Sequence, residues 1–173
     1  MSGFILQRRK NKKRIGLWIL LALGILILIS GGAYLYLRSA EKPVEEAKQE
    51  ALDRISGSIE LKEQDQFYLY NGVKSTYYVL TGKNKENKDI VVWVPEKKSG
   101  KIYVKYASDG ISEAKAKQIV EEKKHPKKIL NVTLGMENGV PLYEVSYIGK
   151  NDSLNYYDMT FSDGEWLREI ENL

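Results

Sequence analysis

The chain has no cysteine, one histidine and four prolines in 173 residues. Without cysteine there is no disulfide framework, no thiolate nucleophile and no zinc–thiolate site. A single histidine, His125, excludes histidine-rich metal sites and leaves a Ser–His–Asp arrangement little to build on. Acid is also missing from the first 37 residues, which hold six cations, Arg8, Arg9, Lys10, Lys12, Lys13 and Arg14. The basic overall balance, +4, therefore belongs to the N-terminal stub, and the rest has 21 cations against 23 acids. A near-neutral remainder has no basic excess to neutralise phosphates, so nucleic-acid binding is not expected. Neither G-x-S-x-G, H-E-x-x-H nor a P-loop is present.

Formal charge is absent from Ile15 to Leu37, a run of 23 residues reading IGLWILLALGILILISGGAYLYL. As a helix it would be about 35 Å long, enough to cross a bilayer with some tilt. Only a helix satisfies its own backbone groups there. Cations precede the run and Glu41, Glu45 and Glu46 follow it, so the positive-inside rule puts residues 1–14 in the cytoplasm and the bulk of the chain outside. Trp18, Tyr34 and Tyr36 suit the two interfaces. A cleaved signal peptide would have a much shorter apolar region and an Ala-x-Ala-like site. Ser30-Gly31-Gly32-Ala33 offers small residues without that signal, which favours an anchor over 15–37. Gly24, Gly31 and Gly32 permit helix pairing or are simply tolerated in a membrane helix, and the oligomeric state is left open.

Beyond the apolar run, Val44, Ala47, Ala51, Leu52 and Ile55 are spaced for an amphipathic helix over 44–55, starting at Pro43 and ending at Ser56-Gly57-Ser58. Four strands are expected at 67–72, 76–82, 89–95 and 101–107, rich in Val, Ile, Tyr and Trp. Asn71-Gly72, the Lys83–Lys88 tip and Ser99-Gly100 supply their turns. A second helix opens after Ser112, a good N-cap, with Ile111 placed to staple onto Ala116 and Pro126 stopping continuation. Strands follow at 128–136, 140–148, 154–161 and 165–170; in the second of these Tyr143, Val145 and Tyr147 alternate with Glu144 and Ser146. The fold class is α+β, a single membrane helix followed by two small units of helix plus antiparallel sheet, over 38–108 and 109–173. Units this small bury only about 60% of their unfolded surface, so the two should pack together across a short join at Ala107–Gly110.

Several stretches resemble the TseB-like (YpmB-type) cell-wall elongation regulators of Gram-positive bacteria. They are the membrane segment, "YYVLTG" (77–82), "VVWVPEKK" (91–98), "DGISEAKAKQIVEE" (109–122), "LYEVSY" (142–147) and "YYDMTFSDGEWL" (156–167). The resemblance implies tandem PepSY-like (cystatin-like) extracellular domains that are not catalytic. It implies that the chain binds a class B penicillin-binding protein and so influences cell-wall elongation. The alternative is a PepSY-type regulator or inhibitor of an extracytoplasmic peptidase or signalling enzyme. The turn at Phe161–Gly164 is longer than the resemblance suggests, which leaves the register of the last strand open.

Two residues invite an enzymatic reading. His125, between Lys124 and Pro126, is either a general base or an exposed residue complementing a helix C-terminus. Asp158, in LNYYDMTF, is either a catalytic acid or a carboxylate facing solvent or capping the next turn. The expectation is that there are no catalytic residues, no cofactor and no metal, and the partner-binding residues stay unassigned. The basic stretches Lys83–Lys88 and Lys123–Lys128 suit wall polymers, lipid headgroups or an acidic partner face, or are solvated surface. Ten tyrosines lie outside the membrane segment; tyrosine favours both interfaces and strands.

Overall fold

The structure, a computed structural model, describes residues 3–173, with side chains described from Trp18 onward except at 37, 39 and 40. The side chains of the basic stub, Arg8 to Arg14, lie outside the described residues. The chain divides into two units, Met1–Glu45 and Glu46–Leu173.

Helix α1 runs from Gly3 to Ile55 with Pro43 inside it. The expected separate helix over 44–55 is therefore the end of one continuous helix. Proline removes one backbone hydrogen bond and costs about 3 kcal/mol in a helix interior; the flanking Glu41, Lys42, Glu45, Glu46 and Ala47 are strong helix formers on either side. From Trp18 to Tyr36 the apolar side chains are exposed throughout. By length and composition this helix can cross a membrane.

In the second unit, β1 (Glu63–Asn71), β2 (Thr76–Lys83), β3 (Asp89–Pro95) and β4 (Tyr103–Tyr106) form an antiparallel sheet in chain order. After a single 3-10 turn, Ala107–Asp109, comes α2 (Glu113–Lys124). A second antiparallel sheet follows, β5 (Lys128–Glu137), β6 (Val140–Ile148), β7 (Leu154–Thr160) and β8 (Trp166–Ile170), again in chain order. The Ser112 hydroxyl accepts the Lys115 N–H at 3.2 Å, capping α2 as expected. Strand β1 begins four residues earlier than the apolar pattern suggested, because Glu63 and Gln64 pair with Lys83 and Gly82 across a bulge.

The first sheet is covered on both faces. Tyr78, Leu80, Ile90, Val92 and Val94 pack against Ala51 and Ile55 of α1. On the opposite face, Val79, Val91 and Trp93 join Ala116 and Val120 of α2 and Val132, Leu134, Tyr143, Val145 and Met159 of the second sheet in one core. Trp93 is its hinge pin. It is fully buried, its indole N–H donates to the Gly135 carbonyl at 2.8 Å, and its ring meets Phe161 edge-on at 5.4 Å. Phe161, just past the end of β7, also stacks on Tyr143 at 5.8 Å, and its carbonyl accepts the Ile111 N–H at 2.9 Å. The two sheets thus share a core rather than meeting at a thin interface.

Candidate functional site: a carboxylate row beneath an apolar cleft

The pleat sends Val132, Leu134, Tyr143, Val145, Tyr157 and Met159 of the second sheet toward α2 and Trp93. The alternate residues go to the other face. There the register lines up Thr133, Glu144, Asp158 and Arg168 across all four strands. Gly135, two residues from Thr133, lies on the same face, and the Tyr70 ring of β1 lies where a Cβ on Gly135 would be. Any side chain at 135 would evict Tyr70, which is itself 2% exposed.

A β-bulge shapes the outer end of this row. Asp158 pairs with Arg168 and Met159 with Trp166, so Leu167 is the extra residue. In a regular strand Leu167 and Arg168 would point to opposite faces. With the bulge, both line the same cleft, together with Val73 and Lys74 from the β1–β2 turn and Glu137, Asn138, Val140, Leu142 and Asp158. The bulge also settles the register of the last strand beyond the long turn. That turn is held by the Gly164 backbone at φ 75° and by Asp163, whose carboxylate accepts from Glu165 N–H at 3.1 Å.

The cleft, of about 330 Å³, has apolar walls and a charged floor. Arg168 donates from Nε and Nη2 to Asp158 Oδ2, at 3.0 and 2.6 Å, and its Nη1 is 4.0 Å from Glu137 Oε1. Glu137 Oε1 in turn accepts the Val73 N–H at 2.6 Å, tying the two hairpin turns together. Asp158 Oδ1 is buried and has no hydrogen-bond partner among the described residues. Asp158 is 2% exposed, so it neither faces solvent nor caps the next turn; its place mid-strand under Tyr70 and Arg168 overturns that expectation. Burial pushes the Asp158 carboxyl up from its ordinary range, against the opposing pull of Arg168. Burial, then the Asp158 charge, raises Glu144 to about 7. Burial and then the same carboxylates raise the Tyr70 phenol.

His125 is exposed and caps α2 in the left-handed region, φ 47°, its N–H donating to the Glu121 carbonyl at 3.1 Å. It lies at the end of α2 and is not among the residues lining the cleft. Among the described residues, no group of three or more His, Asp or Glu is placed to hold a metal ion. The basic stretches are largely committed internally. Lys83 pairs with Asp89 at 2.7 Å, Lys85 with Glu60, Lys124 with Glu169 at 2.5 Å and Lys127 with Asp152 at 2.6 Å. Half of the ten tyrosines, Tyr70, Tyr78, Tyr143, Tyr147 and Tyr157, are buried, Tyr68, Tyr77, Tyr103 and Tyr156 are half-buried, and Tyr106 is exposed. The carboxylate row was not anticipated from sequence. The alternation Tyr157–Asp158–Met159 places Asp158 opposite the core, but its partners Glu144, Arg168 and Tyr70 come from three other strands.

Two family models match. One, described as the cell wall elongation regulator TseB-like domain, matches residues 46–95; the other, the peptidase propeptide and YPEB domain (PepSY), matches residues 110–166. Neither describes a catalytic domain. A relative from Bacillus subtilis (strain 168), named as a probable cell wall elongation regulator TseB, is 36% identical over 146 residues, 83% of this chain and 87% of its own. The solved structure of the YpmB protein from Bacillus subtilis superposes with a TM-score of 0.66 at 33% identity, covering 71% of this chain and 95% of that one.

Proposed function

The chain belongs to the cell wall elongation regulator TseB-like family, and from that membership we propose that it regulates cell-wall elongation as a non-catalytic binding module contacting a class B penicillin-binding protein. In this reading residues 1–14 lie in the cytoplasm, 15–37 cross the membrane, and 38–108 and 109–173 form two outer units. The observation that carries it is the 36% identity to the named regulator over 83% of the chain. The six cations before the apolar run support the orientation. A membrane tether confines both proteins to two dimensions and raises their effective concentration, so a weak interface suffices.

The PepSY match over 110–166 favours a second reading, restraint of an extracytoplasmic peptidase. One experiment separates the two. Full-length protein is crosslinked in growing cells, recovered and analysed by mass spectrometry. The first reading expects a class B penicillin-binding protein to be enriched over an unrelated single-pass control. Enrichment of a peptidase, with no penicillin-binding protein, would replace it with the second. A cysteine at Lys85 should react with a membrane-impermeant thiol reagent in intact protoplasts while one at Ser2 does not; the reverse pattern would overturn the orientation.

A further inference from the structure

We propose that the cleft over Asp158 is a docking slot for one basic side chain, arginine or lysine, carried on an extended segment of a protein partner. The inference rests on the reading of this chain as a protein-binding module and assigns that binding to a place. The cleft is made where both sheets meet, from the β1–β2 turn, the β5–β6 turn and the bulged edge strand β8. Three of its apolar residues are open to solvent, Val73 at 73%, Val140 at 42% and Leu167 at 36% exposed, and Leu142 is buried beneath them. Such walls suit the methylene stem of a long basic side chain.

The floor supplies the charge. Glu137 and Asp158 line it; Glu144, the cross-strand neighbour of Asp158, lies next to the floor, and all three interact electrostatically with Arg168. Arg168 spends its two close hydrogen bonds on one oxygen of Asp158 and leaves Oδ1 without a donor. A buried carboxylate oxygen without a donor is costly, and buried polar atoms almost always have partners. An incoming ammonium or guanidinium supplies the missing donor and the second positive charge. Burial first, and the neighbouring carboxylates after it, raise the Glu144 and Asp158 carboxyls, with Arg168 pulling the other way. Lys74, the other cation among the described residues that line the cleft, is exposed at its mouth, where solvent screens it. Among the described residues, the edge of β8 beside the slot has no neighbouring strand, so an extended partner segment has backbone to pair with.

The test uses full-length protein in lipid nanodiscs with 13C-labelled valine and leucine methyls. It is titrated with acetyl-Val-Arg-Val-amide, the lysine peptide, and the uncharged counterpart in which citrulline replaces arginine. The expected result is movement of the Val73, Val140, Leu142 and Leu167 methyls with the basic peptides, and binding of the citrulline peptide weaker by about tenfold or more. Asp158→Asn should abolish that preference. Val140→Lys, at an exposed position that leaves the core intact, should weaken the basic peptides selectively. Equal binding of the arginine and citrulline peptides would overturn the proposal. So would an unchanged preference in both variants, or methyl shifts confined to other regions, or spermidine binding as tightly as the peptide. In crosslinked cells, capture of a penicillin-binding protein that survives both variants would remove this slot and leave the partner assignment standing. Slot binding without any such capture would do the opposite.

Discussion

Strand β3 of the first sheet is buried along both faces from Ile90 to Pro95, whereas β6 of the second alternates buried Tyr143, Val145 and Tyr147 with half-buried Glu144 and Ser146. Both belong to four-stranded antiparallel sheets with the same strand order. The difference is what covers them. The first sheet lies between the end of α1 and the core it shares with α2 and the second sheet. The second sheet has α2 on one face only, and its other face, without a covering helix, carries Tyr70 over Gly135 and a row of ionisable groups. A sheet covered on both faces is free to be uniformly apolar, as β3 is. A sheet with one free face has somewhere to keep chemistry, and here it keeps three carboxylates. The first sheet is the frame, and the second displays the site.

The comparison is broken most severely at Trp93. Trp93→Ala should cost roughly 4 kcal/mol in denaturant unfolding, since it empties the shared core and orphans the Gly135 carbonyl. If the two sheets were independent, unfolding of this variant would separate into two transitions; a single cooperative loss is expected. Arg168→Ala comes next, at roughly 3 kcal/mol, because it leaves the buried Asp158 carboxylate uncompensated. Arg168→Ala combined with Asp158→Asn should recover part of that loss, giving a coupling in a double-mutant cycle.

The free face should also make stability pH-dependent. Glu144 binds its proton more tightly folded than unfolded, with a folded value of about 7. Its contribution is therefore fully present below the ordinary glutamate range and is lost as pH rises through about 7. Asp158, raised in the same direction, acts likewise. Unfolding free energy should fall by on the order of 2 kcal/mol from pH 5 to pH 8, and Glu144→Gln should flatten the slope while no change in the first sheet does. Ser112→Ala should cost about 1 kcal/mol through the lost α2 cap. Smallest of all, His125→Gly should stabilise by a few tenths of a kcal/mol, up to about 1, by relieving the left-handed C-cap. It should leave the cellular role intact.

Much of this architecture is readable from local pattern. The β-branched and aromatic runs at 76–82, 89–95 and 140–148, the Ser112 cap and the Asn–Gly and Asp–Gly turns each carry their own signal. What escaped depends on pairing. The start of β1 is polar, Glu63-Gln64-Asp65-Gln66, and joins the sheet only because β2 extends to Lys83 to meet it. Pro43 reads as a helix start, yet the residues on both sides sustain α1 through it. Asp158 reads as one acid in a tyrosine-rich strand. Its burial comes from Tyr70, Glu144 and Arg168, and Arg168 reaches it through a bulge no alternation pattern encodes.

The most direct measurement matches two variants for stability and compares them in cells. Val92→Ala weakens the frame's fully buried core by roughly 2 kcal/mol, and Asp158→Asn alters the slot; temperature is chosen so that both are equally abundant and folded. Side-wall incorporation of a fluorescent D-amino acid is then scored against wild type and a deletion strain. Incorporation like wild type for Val92→Ala and like the deletion for Asp158→Asn is the predicted result. A deletion-like Val92→Ala beside a wild-type-like Asp158→Asn would contradict the division into frame and site.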